Sequence, residues 1–63
     1  MTDAEIMALY EQGLSLEHIA GQIVIREASA EAPPKKKQAL GRVRQVVYET
    51  LVERRKRHAG TEP

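Results

Sequence analysis

The chain has 63 residues, with ten Lys or Arg against nine Asp or Glu, so its net charge is only +1. A chain of this length forms one small domain and buries only roughly 60% of its unfolded surface. It contains no Cys, Phe or Trp, so aliphatic residues must supply the core without help from a disulfide. The lack of Cys, of a long apolar run and of a basic N-terminal region predicts a cytoplasmic protein with no membrane partner.

The charges are segregated along the chain. Residues 1–32 carry six acidic residues and one basic residue, a balance of −5, whereas residues 33–63 carry nine basic and three acidic residues, a balance of +6. A basic half predicts a polyanionic partner such as nucleic acid, or an acidic protein surface. The alternative is that the two halves neutralise each other within the molecule.

The N-terminal residues carry the signals of a short amphipathic helix. Thr2 is a favoured N-cap residue, and Glu5 three positions later completes a capping box. Gly13 fits the left-handed position that ends a helix, and Leu14 can fold back onto the last turn. The sequence predicts a first helix over about residues 3–12.

A second helix should begin after Ser15, its N-cap. Apolar residues then repeat at the helical spacing i, i+3, i+4, i+7: Leu16, Ile19, Ala20 and Ile23. Residues 24–28 begin with two β-branched residues and fit either a helix end or a short extended segment. We favour a helix over about residues 16–28, followed by a loop that contains Pro33 and Pro34.

The third helix is predicted over about residues 34–57 and is the longest. Gly41 weakens it by roughly 1 kcal/mol relative to Ala, which fits a position where another backbone approaches closely. The sequence therefore predicts an all-α fold, a small three-helix domain over residues 1–58 with a long basic C-terminal helix and a flexible tail at 59–63. The predicted core consists of Ile6, Leu9, Leu14, Leu16, Ile19, Ala20, Ile23, Leu40, Val43, Val47 and Leu51.

The stretch ALYEQGLSLEHIAGQI, which ends at Ile23, resembles the first half of helix-turn-helix DNA-binding domains. Sequences of that family commonly read LYxxGLS followed by xxxIAxxL. The resemblance implies that Ala20 lets a recognition helix pack closely, that Ile19 and Ile23 face the core, and that the third helix reads DNA.

The chain departs from this family at the turn. Val24 stands where the family places Gly, and some ten residues separate the second helix from the third. The sequence thus predicts a variant helix-turn-helix with an enlarged turn.

The polar side chains of the third helix are candidate DNA-binding groups. Arg and Gln make paired hydrogen bonds to guanine and adenine, and Lys contacts phosphates. A solvated helix face would look similar, Glu49 would be repelled by phosphates, and basic residues near a helix C-terminus complement its dipole. The candidates are Lys35, Lys36, Lys37, Gln38, Arg42, Arg44, Gln45, Arg54 and Arg55.

Catalysis finds little support in the sequence. His18 and His58 do not lie at a metal-ligand spacing from other donors, and no serine has an obvious base partner. The four glycines are dispersed and form no phosphate-binding loop. We therefore expect no enzyme activity, no metal and no cofactor.

Two roles remain. The first is a small transcription regulator of phage or bacterial type that binds DNA through the variant helix-turn-helix, as a homodimer because one small unit makes few contacts. The second is a phage-type regulator that binds protein and docks on host RNA polymerase. The basic third helix favours the first role, and the enlarged proline-containing turn favours the second.

Overall fold

The computed structural model describes residues 1–61, with side chains described for residues 1–57. Over this range the chain forms three helices and no strand: α1 (Asp3–Glu11), α2 (Leu16–Arg26) and α3 (Lys36–Thr61). The prediction of an all-α three-helix domain is confirmed. α3 continues past the predicted end at residue 57 and into the predicted tail at 59–63; the side chain of His58, together with Glu62 and Pro63, lies outside the described part.

Both ends of α1 form as the local sequence predicts. The backbone N–H of Glu5 donates to Thr2 Oγ1 at 3.2 Å, and the backbone N–H of Thr2 donates to Glu5 Oε1 at 3.5 Å. The Glu5 carboxylate also accepts the Thr2 hydroxyl at 3.2 Å. The two bonds that this carboxylate accepts, from the backbone N–H of Thr2 first and from its hydroxyl second, lower the pKa of Glu5 below its ordinary value of 4.5. At the other end Gly13 has φ +95°, and Leu14 N–H donates to the carbonyl of Leu9 at 3.4 Å. This is the Schellman arrangement that closes a helix.

α2 begins where Ser15 Oγ accepts the backbone N–H of His18 at 3.1 Å. The helix extends through Val24 and Ile25 and ends at Arg26, two residues before the predicted end. Residues 27–35 then form the connection to α3, which includes a hydrogen bond from Ala30 N–H to the Glu27 carbonyl at 3.1 Å. The connection between α2 and α3 is therefore an irregular loop.

The core lies between the three helices, and α3 packs mainly against α2. Six of the predicted core residues are buried: Ile6, Ile19, Ala20, Ile23, Val43 and Val47. Three buried residues were missing from the prediction: Met7, Ala39 and Val46. Four predicted residues are half-buried at its edge: Leu9, Leu14, Leu16 and Leu40. Leu51 was wrongly placed in the core, because 42% of its surface is exposed.

The length of α3 sets the shape of the molecule. α3 has 26 residues and spans about 39 Å at the usual helical rise, whereas α1 and α2 have 9 and 11 residues. The longest dimension of the molecule is 49 Å and the other two are 21 and 16 Å. Part of α3 therefore extends beyond the cover of the shorter helices. Within the described chain, none of the helices is both long and apolar enough to cross a membrane.

Candidate nucleic-acid interface

Arg42 was predicted to bind DNA, but the structure uses its guanidinium within the chain. The group donates a hydrogen bond to the Met1 carbonyl and lies 3.4 Å from a carboxylate oxygen of Glu27. The same oxygen of Glu27 lies 3.3 Å from the amino group of Met1. Arg42 therefore connects α3 to the N-terminus and to the end of α2.

Three other candidate DNA-binding residues also form hydrogen bonds within the chain. Arg54 lies 2.9 Å from a carboxylate oxygen of Glu11 on α1. Gln45 donates to Glu49 at 3.2 Å, one turn further along α3. Gln38 accepts the backbone N–H of Lys35 at 3.1 Å, which helps to start α3. Of these three bonds, the one between Gln45 and Glu49 joins two exposed side chains of α3.

The acidic and basic halves of the chain neutralise each other in part. Arg42 and Arg54 pair with acidic residues of the N-terminal half, and Arg26 pairs with Glu5 at 3.0 Å within that half. The remaining candidate cations form no ion pair among the residues whose side chains are described: Lys35, Lys36, Lys37, Arg44 and Arg55. The basic charge that faces solvent is therefore concentrated on α3.

The three lysines lie together at the start of α3, and all are exposed. The first turn of α3 contains no acidic residue. By contrast, α1 has Asp3 and Glu5 in its first turn and α2 has Glu17. Because the N-terminus of a helix carries a partial positive charge, acidic residues are the stabilising choice there. α1 and α2 follow this rule, and α3 does the opposite.

A continuous face of α3 points away from the core. Its members follow one another at steps of three or four residues, the spacing that places side chains on one side of a helix: Lys37, Gly41, Arg44, Tyr48, Val52 and Arg55. Basic and polar groups occupy the N-terminal half of this face. Tyr48, Leu51 and Val52 occupy the C-terminal half, which sequence reasoning assigned in part to the core.

Gly41 lies in the middle of the N-terminal half of the face and is open to solvent. A Cβ built at this position meets no atom within 4 Å. The prediction that another backbone of the chain approaches Gly41 closely is therefore wrong. The absence of a side chain instead leaves a shallow gap between Lys37 and Arg44.

A comparison with protein families, with curated proteins and with solved structures finds no match for this chain.

The exposed apolar residues of α3 are the part of the surface that sequence reasoning missed. Tyr48 is 71% exposed, although it is one of only two aromatic residues in the chain. The signal that could have found these residues is the length of the third helix, which exceeds what two short helices can cover. An apolar residue beyond that cover stays on the surface.

Proposed function

We propose that this protein is a small regulator of transcription that binds DNA in the cytoplasm with the N-terminal half of α3. The observation that carries the proposal is the placement of Lys35, Lys36 and Lys37 at the positive end of the α3 dipole. The resemblance of the chain up to Ile23 to the first half of a helix-turn-helix supports the same role.

The lysines lower the stability of the folded protein, which indicates that they have a role other than folding. A cation in the first turn of a helix is destabilising by about 0.3–1 kcal/mol, and an anion is stabilising by a similar amount. Since α1 and α2 both begin with acidic residues, nothing general about this chain requires lysines there. Phosphate groups would remove the repulsion between the lysines and the dipole, because anions bind well at helix N-termini.

The outward face next to the lysines supplies groups suited to bases. Arg44 and Gln45 are exposed on the turns that follow, and their side chains can make paired hydrogen bonds to guanine and adenine. In helix-turn-helix proteins it is the N-terminal part of the recognition helix that meets the base edges. The gap at Gly41 lets a duplex approach the helix backbone between Lys37 and Arg44.

The experiment that tests the proposal is a titration of the ¹⁵N-labelled full chain with a mixed-sequence DNA duplex at two salt concentrations. We expect amide shifts centred on residues 36–45, and an affinity that falls with salt. Three phosphate contacts from Lys35, Lys36 and Lys37 correspond to a slope of log K against log salt of roughly −2.7. No shift at low salt, or shifts centred on the acidic surface of α1, would overturn the proposal.

A second candidate function is docking on a protein such as RNA polymerase. The specific observation that favours it is the group of exposed apolar residues on the C-terminal half of α3. Apolar side chains contribute little to contacts with phosphates, so DNA binding does not account for them.

A further inference from the structure

The C-terminal half of α3 presents an apolar strip, defined here as Tyr48, Leu51 and Val52 together with Leu16 of α2. A shallow open hollow of about 490 Å³ is lined by Leu16, Val47, Tyr48 and Leu51. A second hollow of about 210 Å³ is lined by Tyr48, Leu51 and Val52. The two hollows share Tyr48 and Leu51, so the strip is continuous.

The α3 residues of the apolar strip lie outside the core, whereas Leu16 packs against the edge of the core. Val43, Val46 and Val47 already bury the side of α3 that faces α2. Tyr48 and Leu51 remain 71% and 42% exposed. Contiguous exposed apolar residues bordered by polar groups are typical of interaction sites. The strip is therefore a surface that another molecule can cover.

The charge around the strip decides what kind of molecule fits. Arg44 borders the larger hollow and Arg55 borders the smaller one. Both are exposed, and the described side chains include no carboxylate in ion-pair contact with either. In contrast, Arg42 and Arg54 on the other side of the helix are paired with acidic residues. The strip therefore has an unneutralised positive charge at each end.

A second copy of the chain fits this surface poorly. If two α3 helices crossed in antiparallel fashion near residue 50, the middle of the strip on α3, Arg44 of one copy would lie near Arg55 of the other. A parallel crossing would bring each arginine near its own counterpart. Like charges facing each other across an interface oppose association. DNA satisfies the arginines but offers no apolar surface for Tyr48 and Leu51.

We propose that the apolar strip docks an amphipathic helix of a partner protein, whose apolar side chains fill the two hollows and whose Asp or Glu residues pair with Arg44 and Arg55. Such a helix presents anchors at positions i, i+3 or i+4, and i+7, which is a common mode of peptide recognition. The site lies on the turns of α3 that follow the lysines and does not require that the protein bind DNA.

The test selects ligands from a random library of roughly 16-residue peptides displayed on phage, with the full chain immobilised. The counter-selection uses the double variant Tyr48→Ser with Leu51→Ser. Both side chains lie outside the core, so the variant should keep the wild-type fold, as judged by its helix content and amide spectrum. The matched control is Ile25→Ser, which removes an apolar side chain of α2 that is 70% exposed and lies outside the strip.

Enriched peptides should carry apolar residues at helical spacing with Asp or Glu beside them. They should bind the double variant at least about tenfold more weakly than the wild type, and bind Ile25→Ser equally well. Replacing Arg44 and Arg55 by Glu should also weaken the binding of the acidic peptides. Lys37→Glu should leave peptide binding unchanged, so a failure of DNA binding and a failure of this proposal are distinguishable.

Three outcomes would overturn the proposal. The first is the absence of enriched peptides, and the second is a set of basic or uncharged peptides that bind the double variant as well as the wild type. The third is a concentration-dependent dimer of the wild type in sedimentation velocity that disappears in the double variant, because the strip would then be covered by a second copy.

Discussion

Lys37→Glu should make the protein more stable and at the same time a weaker DNA binder. Lys37 lies in the first turn of α3, is exposed, and forms no ion pair among the described side chains. Reversing its charge removes a penalty of about 0.3–1 kcal/mol and adds a gain of similar size, while the helix propensities of Lys and Glu are nearly equal. We expect the free energy of unfolding to rise by about 1 kcal/mol at low salt.

The stability effect is measured by thermal and urea unfolding followed by circular dichroism. For a domain of this size, a gain of about 1 kcal/mol raises the melting temperature by roughly 4–8 °C. Because the effect is electrostatic and exposed, it should fade when salt rises from about 0.01 M to about 1 M, where the Debye length shrinks from about 30 Å to about 3 Å. DNA binding by fluorescence anisotropy should lose about 0.9 from its salt slope.

Lys56→Glu is the matched control. It makes the same change in net charge on the same helix but towards the negative end of the dipole, three residues after Glu53. It should bring no gain in stability and leave the salt slope of DNA binding unchanged. If Lys37→Glu fails to stabilise the protein, the dipole argument is wrong. If both variants weaken DNA binding equally, net charge and not the start of α3 governs binding.

Gly41→Ala and Gly21→Ala should each raise the free energy of unfolding by up to about 1 kcal/mol, because an added Cβ meets no atom within 4 Å at either position. Only Gly41→Ala should weaken DNA binding in anisotropy titrations. Ile19→Ala should cost about 2–5 kcal/mol in urea unfolding and half-buried Leu9→Ala clearly less, so equal costs would contradict the observed core. Glu5→Gln should destabilise the protein above pH 4.5, since hydrogen bonds from the N-cap threonine lower the pKa of Glu5 in the folded state and that stabilisation is lost as pH falls through the lowered pKa; a difference from wild type that persists at about pH 2 would contradict this assignment.

The caps and the first two helices could be predicted because their signals are local. Thr2, Gly13 and Ser15 act on residues at most five positions away, and each forms the hydrogen bonds or backbone angle that its residue type favours. Leu51 could not be placed in this way. Helical spacing puts it on the side of the core, but α2 begins at Leu16, which lines the same hollow as Leu51 and leaves it partly uncovered. Burial at that point depends on where another helix begins.

The residue types of the candidate site could be predicted from the sequence. The sequence could not show which of its cations form ion pairs within the chain. Sequence spacing places Arg42 and Arg44 on the same basic helix and cannot tell which of the two faces solvent. The contact of Arg42 with Glu27 joins residues 15 positions apart, and that of Arg54 with Glu11 joins residues 43 positions apart. Such pairs exist only after α1, α2 and α3 have packed, so the tertiary fold decides which cations remain available.

The difference between paired and unpaired cations explains part of the charge segregation along the sequence. Two cations of the C-terminal half neutralise acidic residues of the N-terminal half and tie α3 to the rest of the molecule. The other candidate cations lie at the start of α3, where they oppose the helix dipole, and beside the apolar strip, where they border Tyr48 and Leu51. The lysines at the start of α3 lower the stability of the fold, and Arg44 and Arg55 form no ion pair with a described side chain that would stabilise it. We infer that both groups of cations are held for anionic partners.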